Sequence, residues 1–553
     1  MRFFKFCFLS SVLQIVCHSA SAQLFTPKTF TRQDTLRGSI TPERSWWDVT
    51  HYDITVVPDT ATKSIYGFNK ISFEVTGRNT VMQLDLQEPM QLDSVLFKGK
   101  KLALRRDGNV FYVSFPKALP LNSNQTIIAF YSGTPRPAKN APWDGGWIWK
   151  KDHEGLPFIS VACQGLGASV WYPNKDHQSD EPDSAALTIV VPQNLTGVGN
   201  GKLASVTQDR YGRIHYRWEV KNPINNYNII PYIGNYTCIT DTLRGEKGVL
   251  HCSYWVLKSN VEKAKNQFKQ VKTMLHSFEH WFGPYPFYED GYKLVEAPHL
   301  GMEHQSNIAY GNNYGNGYMG RDLSGSGWGL KFDFIVIHES GHEWFGNSIT
   351  TKDVADMWVH ESFTNYSEAL YLESLYGKKA GDEYVQGIRR NIANDIPIVG
   401  QYNVNSEGSG DMYYKGANML HIIRQLMQDD QKFRQMLRGL NSTFYHKTVT
   451  GQEVQQFMEE FSGLDLSKIF EQYLTTTKVP KLELSASRTQ SGMIIRYRWT
   501  NCVAGFNMPT RILTAPDTWT WIHPTENWQE IATRFTEEQL NALNLKDPNF
   551  YIN

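Results

Sequence analysis

Residues His338-Glu339-Ser340-Gly341-His342 carry two imidazoles four positions apart, and a carboxylate, Glu361, follows nineteen residues after the second. Histidines at i and i+4 project from one side of a helix, a turn apart, so both can reach a single metal ion. With Glu361 as a third ligand, His338 and His342 form a set for one zinc ion per chain. Three protein ligands leave the fourth tetrahedral position to water, which marks a catalytic rather than a structural zinc. Glu339 stands beside the metal but not on it, where a general base is needed. The histidine pair alone has a plain alternative, two imidazoles hydrogen-bonded inside a core helix. The spacing of Glu361, and the apolar-periodic run after it (Phe363, Tyr366, Ala369, Leu370, Leu372), favour the metal.

Several elements must hold these residues. The run Phe332 to Ile337 is apolar at helical spacing, so the motif lies on a buried helix. A chain of 553 residues is too long for one core and implies three or four domains. From Trp46 to Tyr254 polar and apolar residues alternate between turn signals, as in His51-Tyr52-Asp53-Ile54-Thr55-Val56-Val57, which predicts a large antiparallel β-domain over 46–254. The period then changes. Phe268, Val271, Leu275, Phe278 and Phe282 repeat at three and four before Gly283-Pro284, and a mainly helical domain is expected over 255–478. It is interrupted from Gly311 to Gly329 by a stretch rich in Gly, Asn, Tyr and Ser, either a mobile lid or an ordered surface excursion. Strand patterns return after Val479-Pro480, predicting a small β-sandwich over 479–553. The fold class is therefore multidomain α+β.

Composition narrows the partners. Hydrophobic residues make up 41% and aromatic residues 13%, a well-packed globular protein. Basic and acidic residues balance at 55 each, so a polyanion such as nucleic acid is not expected as a partner. Residues 1–22 read as a signal peptide: Arg2 and Lys5, an apolar stretch from Phe8 to Val16, and Ala20-Ser21-Ala22 before a cut at Gln23. A lipoprotein reading through Cys17 is weaker, because Val16 stands where a small residue is expected. The expected mature chain begins with an extension over 23–45, has no stable membrane insertion, and is exported to a periplasm or beyond. It keeps Cys163, Cys238, Cys252 and Cys502. Of these, Cys238 and Cys252 are close enough in sequence to bridge adjacent strands, and an exported protein permits a disulfide there.

Three further segments give the sequence a family likeness. The chain resembles the aminopeptidase N family of zinc metallopeptidases, which includes the leukotriene epoxide hydrolases. The likeness is strongest from His338 to Glu361, with Trp344-Phe345-Gly346-Asn347 and Asp356-Met357-Trp358 in the family's places. Gly301-Met302-Glu303-His304 is similar to that family's exopeptidase motif, which implies that Gly301 and Met302 border the substrate and that Glu303 grips its α-ammonium group. Leu300 and His304 depart from the pattern, which puts the wall of the first substrate pocket in question. Gln164, within Ala162-Cys163-Gln164-Gly165, aligns with the residue that shares the ammonium; the other reading of it is a strand-end hydrogen bonder. Tyr413, in Tyr413-Tyr414-Lys415-Gly416, matches the tyrosine that donates to the oxyanion. The resemblance also implies a thermolysin-like catalytic domain. The family's larger members close their site with a C-terminal helical domain. A small β-domain follows the catalytic region here, which implies a more open cleft.

These parts imply a zinc aminopeptidase whose partners are peptides with a free N-terminus. A metal-activated water attacks the scissile carbonyl, Glu339 takes and returns the proton, and Tyr413 steadies the oxyanion. The competing readings are a thermolysin-type endopeptidase, which has no use for Glu303, added epoxide hydrolysis, which nothing in the chain demands, and a non-catalytic peptide-binding protein on the same fold.

Overall fold

The computed structural model describes residues 29–490 and 492–553, so the signal sequence expected over 1–22 lies outside the described residues. Helix α1 (Arg32–Gly38) is closed by a capping box between Thr31 and Asp34. It is pinned to the β-domain by Arg37, 2.6 Å from Asp176. Arg44, just beyond it, is wholly buried and sits 2.6 Å from Asp85. Residues 29–45 of the predicted extension thus form an ordered tie, since a buried guanidinium requires a fixed carboxylate partner.

An eight-stranded sheet forms the centre of the β-domain, with smaller sheets of four and three strands against it. In the strand Trp47–Asp59, Tyr52, Ile54 and Val56 point inward at period two. One pair departs from the antiparallel expectation: Trp47–Asp59 runs parallel to Ser184–Val191.

The second sheet corrects the predicted boundary at 254. Strands β1 (Tyr236–Gly245), β2 (Gly248–Leu257), β3 (Tyr292–Glu296), β4 (Gly301–Met302) and β5 (Ile308–Tyr310) form one five-stranded sheet in the order β1-β2-β3-β5-β4. The β1–β2 hairpin therefore belongs with the catalytic region, and Leu243, Leu250, Tyr254 and Val256 sit in its core. Alternation along a strand reports a half-buried face but not which sheet the strand joins, so the sequence places this hairpin in the wrong domain.

The same hairpin decides the cysteines. Cys238 faces Trp255 and Cys252 faces Asp241, an offset of three residues. An odd offset puts the two side chains on opposite faces of the ribbon, and both thiols are free.

Helix α2 (Phe334–Gly341) starts at Asp333, whose side chain accepts from the Ile335 and Val336 amides. Tyr310 donates to Asp333 at 2.7 Å and Asn312 at 2.8 Å, so this helix start is fixed from two sides. Asn312 also donates to the Gly315 and Gly317 carbonyls, and Tyr314 to Glu296. The 311–329 segment is consequently the ordered excursion of the two alternatives. Helix α3 (Trp358–Tyr376) runs through the middle of the domain, with every residue from Trp358 to Leu372 buried. Helix α4 (Asp411–Met427) crosses it where Gly416 meets Ser362; a Cβ on Gly416 would lie 1.9 Å from Ser362 Oγ.

The C-terminal piece consists of a three-stranded and a two-stranded sheet. Its Trp499, Phe506 and Ile512 share one hydrophobic cluster with the catalytic helices rather than forming a separate core. No helix among the described residues is long and apolar enough to cross a membrane.

Candidate metal centre and cleft

A helix buried on all sides has no free polar groups to spare, and α3 carries Glu361 and Glu368 on one face, seven residues apart. Glu361 meets both His338 on α2 and His342 at its C-cap, and Glu368 meets His338. His338 Nδ1 lies 2.7 Å from Glu368 Oε1. Glu368 is itself held by Asn365 at 2.8 Å and by the Tyr384 hydroxyl at 2.5 Å. His342 Nδ1 is bonded to the Phe345 carbonyl at 3.0 Å. With both Nδ1 atoms engaged, both Nε2 atoms turn to Glu361 Oε2, at 3.7 Å from His338 and 3.4 Å from His342.

This geometry fits zinc. Ligand atoms at about 2.0–2.2 Å from a tetrahedral zinc stand about 3.3–3.6 Å from one another. Glu361 Oε2 is buried without a hydrogen-bond partner, a condition that a bound cation relieves. Burial would raise the Glu361 carboxyl, but His342 and His338 outweigh it and hold the group well below the ordinary range. Burial likewise pulls His342 down, yet Glu361 and Glu303 lift it to about 8. The centre is a strong well for positive charge. A second trio, Glu303, Glu339 and His342, also comes within metal-binding range. His342 is common to both, and Glu303 Oε1 is already taken by Tyr227 and Gln164. The His338–His342–Glu361 set is the one with an unclaimed oxygen.

Glu339 lies beside this set, its carboxyl pushed up to about 7 by burial against the opposing pull of His338 and His342. Gly301 makes room for it. A Cβ there would sit 2.6 Å from Glu339 Oε1 and 2.9 Å from Ile335, so only glycine lets the edge strand β4 approach α2 so closely. Met302 follows on the same strand and lines the cleft.

Glu303 is buried, and burial raises its carboxyl. The Gln164 amide donates to Glu303 Oε1, and the Tyr227 hydroxyl donates to the same oxygen at 3.1 Å. The Tyr413 ring lies 5.9 Å from that of His338, at 27° to it. Burial and the charges of Glu361 and Glu303 raise its phenol well above the usual value, so it remains a donor. The structure brings together all of His338, Glu339, His342, Glu361, Glu303, Gln164, Gly301, Met302 and Tyr413. Of the two departures from the exopeptidase pattern, Leu300 lines the cleft. His304 bonds Tyr232 at 2.5 Å and does not line the cleft.

The sequence reasoning missed two supporting residues, Glu368 and Tyr227. Spacing offers a signal for the first, because a carboxylate seven residues after a ligand shares its helix face. Tyr227 sits in Asn225-Asn226-Tyr227-Asn228, which carries no such signal.

The nine residues from Gln164 to Tyr413 that the sequence singled out line a cleft of about 1230 Å³ between the β-domain and the catalytic helices. Residues 267–473 match the peptidase family M1 domain. Leukotriene A-4 hydrolase of Xenopus laevis is 24% identical over 342 residues, covering 57% of this chain and 52% of that protein. Probable aminopeptidase 1 of Sulfurisphaera tokodaii is 22% identical over 438 residues, covering 76% of this chain and 53% of its own. The chain thus spans about half the length of these curated relatives. An M1 zinc metallopeptidase from Deinococcus radiodurans shares the fold, with a TM-score of 0.66 at 20% identity over 78% of this chain and 93% of that one.

Proposed function

We propose, on the premise of the match between residues 267–473 and the peptidase family M1 domain, that the chain is a zinc-dependent aminopeptidase releasing the first residue of peptides. The separation of Glu303 from the metal set carries this reading. Its carboxylate oxygen lies within 4.8 Å of ligand-type atoms on both Glu339 and His342. In a peptide, the α-nitrogen and its own carbonyl carbon are about 2.5 Å apart. A chain whose ammonium meets Glu303 therefore has its first carbonyl at the centre, with no space for a residue before it.

Bound at His338, His342 and Glu361, zinc supplies a Lewis acid that polarises the carbonyl and acidifies water. Glu303, with Gln164 and Tyr227, holds the ammonium and so selects the bond to be cut. Glu339 accepts a proton from the attacking water on its carboxylate and returns it to the leaving amine. Tyr413 donates its phenolic proton in a hydrogen bond to the oxyanion as it forms.

The test is hydrolysis of aminoacyl-p-nitroanilides beside their N-acetylated forms, with and without a chelator. Cleavage confined to free amines, lost on chelation and restored by zinc, is the expected result. Equal cleavage of blocked substrates would replace this reading with an endopeptidase. Export is a further part of the proposal and rests on residues 1–22. Amino-terminal sequencing of the protein from its native cells checks it, with Gln23 as the expected first residue.

A further inference from the structure

Two points on separate segments decide which bond is cut: the metal set at α2 and α3, and Glu303 on the segment after β4. A misplacement of about 1 Å between such groups costs about 100-fold in rate, so one must be fixed against the other. Gln164 and Tyr227 hold the Glu303 carboxylate from the β-domain. The link to the metal helix runs instead through the backbone of Glu303.

That link is Asn347. Directly after His342 the chain turns back on itself at Gly346, where φ is +130° and a Cβ would stand 3.1 Å from His342 Nδ1. The turn lets the Asn347 backbone N–H donate to the carbonyl of the ligand residue His342 at 2.9 Å. The Asn347 side chain is buried. Its Nδ2 donates to the Glu303 carbonyl at 2.8 Å and to Glu343 Oε1 at 3.1 Å, and its Oδ1 accepts from Asn228 at 2.7 Å. Two acceptors at the nitrogen and a donor at the oxygen leave this amide one orientation.

Each neighbour is held in turn. Glu343 accepts from the Tyr285 hydroxyl at 2.5 Å and from the Ser306 amide at 3.0 Å, a second grip on the segment bearing Glu303. Asn225 donates to the Gly346 carbonyl at 3.0 Å, so Asn225 and Asn228 hold the metal turn on both sides of Tyr227, itself a donor to Glu303. Other contacts of the 303–307 segment, from Asn200 to the Gln305 carbonyl and from the Gly201 amide to Ser306 Oγ, tie it to the β-domain and not to α2. One buried amide thus touches the turn that follows a zinc ligand, the segment bearing the ammonium acceptor, and the segment bearing a donor to that acceptor. Asn347 does not line the cleft, so it acts through Glu303.

We infer that Asn347 is a positioning residue that sets the distance from the ammonium seat to the metal, and so fixes cleavage after the first residue. This inference rests on the aminopeptidase reading above.

The experiment measures, by calorimetry on the zinc-loaded protein, the binding of alanine hydroxamate and propionohydroxamate, which differ only in the α-amine. Both bring a hydroxamate to the metal, and only the first can also reach Glu303. Wild type is expected to bind alanine hydroxamate about tenfold or more tighter, the worth of one hydrogen bond to a charged group. Asn347→Asp keeps the shape and the acceptor for Asn228 but has no donor for the Glu303 carbonyl. It should retain one zinc per chain and bind propionohydroxamate as wild type does, while the preference for alanine hydroxamate falls about tenfold. Asn228→Ser is a milder change that frees the Asn347 amide to turn over, and should lower the preference about threefold; it decides the matter if Asn347→Asp does not fold. A wild-type preference in a folded, zinc-loaded variant, or an equal weakening of both probes, overturns the inference while leaving an aminopeptidase. No preference for alanine hydroxamate in wild type overturns the ammonium seat, and the aminopeptidase reading with it.

Discussion

Replacing Gly416 by alanine tests whether the crossing of α3 and α4 sets the position of Tyr413. The new Cβ would meet Ser362 Oγ at 1.9 Å and Ser362 Cβ at 2.7 Å, against an ordinary contact of 3.4 Å. Rotating the serine hydroxyl relieves the first clash but not the second, so the helices must part by at least about 0.7 Å. Tyr413 is one turn before Gly416 on the same helix and moves with it. The metal ligands are on α2, its C-cap and α3, so zinc content is expected to stay at one per chain. Overpacking of this kind costs about 1–3 kcal/mol of stability. A misplacement near 1 Å costs about 100-fold in rate, and complete loss of an oxyanion donor about 100- to 1000-fold. We expect kcat to fall by about 10- to 100-fold, measured on an aminoacyl-p-nitroanilide at saturating zinc. The same substitution in a Tyr413→Phe background should add little, because both act on one hydrogen bond. A kcat within about twofold of wild type, or an equal loss in the Tyr413→Phe background, refutes the reasoning.

Three other variants separate the parts of the site. Glu339→Gln should retain zinc by elemental analysis while kcat falls about 100- to 10,000-fold, as for removal of a general base; loss of the metal instead would make Glu339 a ligand. Glu368→Gln should weaken zinc about 10- to 100-fold in a chelator competition, since it loosens His338 from behind; unchanged affinity would make that contact incidental. Tyr227→Phe removes one donor from Glu303 and should raise KM for free-amine substrates about tenfold with little change in kcat; an effect on kcat alone would place Tyr227 in the chemistry.

The metal set is legible in the sequence because its parts are close together. His338 and His342 share a helix turn, and Glu361 begins the next long helix. Gln164, Glu303 and Tyr413 come from three distant segments, and only likeness to a family's motifs drew them together. Tyr227 has no motif to betray it, as its partner Glu303 lies 76 positions away. The sheet boundary failed for a related reason. The strand pattern of Tyr236–Gly245 is the same whichever sheet it joins, and its placement depends on the parallel pairing of Cys252 with Tyr292, forty residues further on. Gly416 is equally silent, for close approach of two helices is a property of the pair and not of either sequence.

Glu303, with Gln164 and Tyr227 both donating to one of its oxygens, gives the cleft a seat for one ammonium group. In an aminopeptidase built this way, that seat orders the events after cleavage. The freed residue still occupies it, so the new amino terminus of the shortened peptide cannot dock until that residue has left. Each further cut therefore waits on the release of the residue before it. Free amino acid added in excess should slow trimming by competing for the same seat, and an unchanged rate would show that the ammonium docks elsewhere.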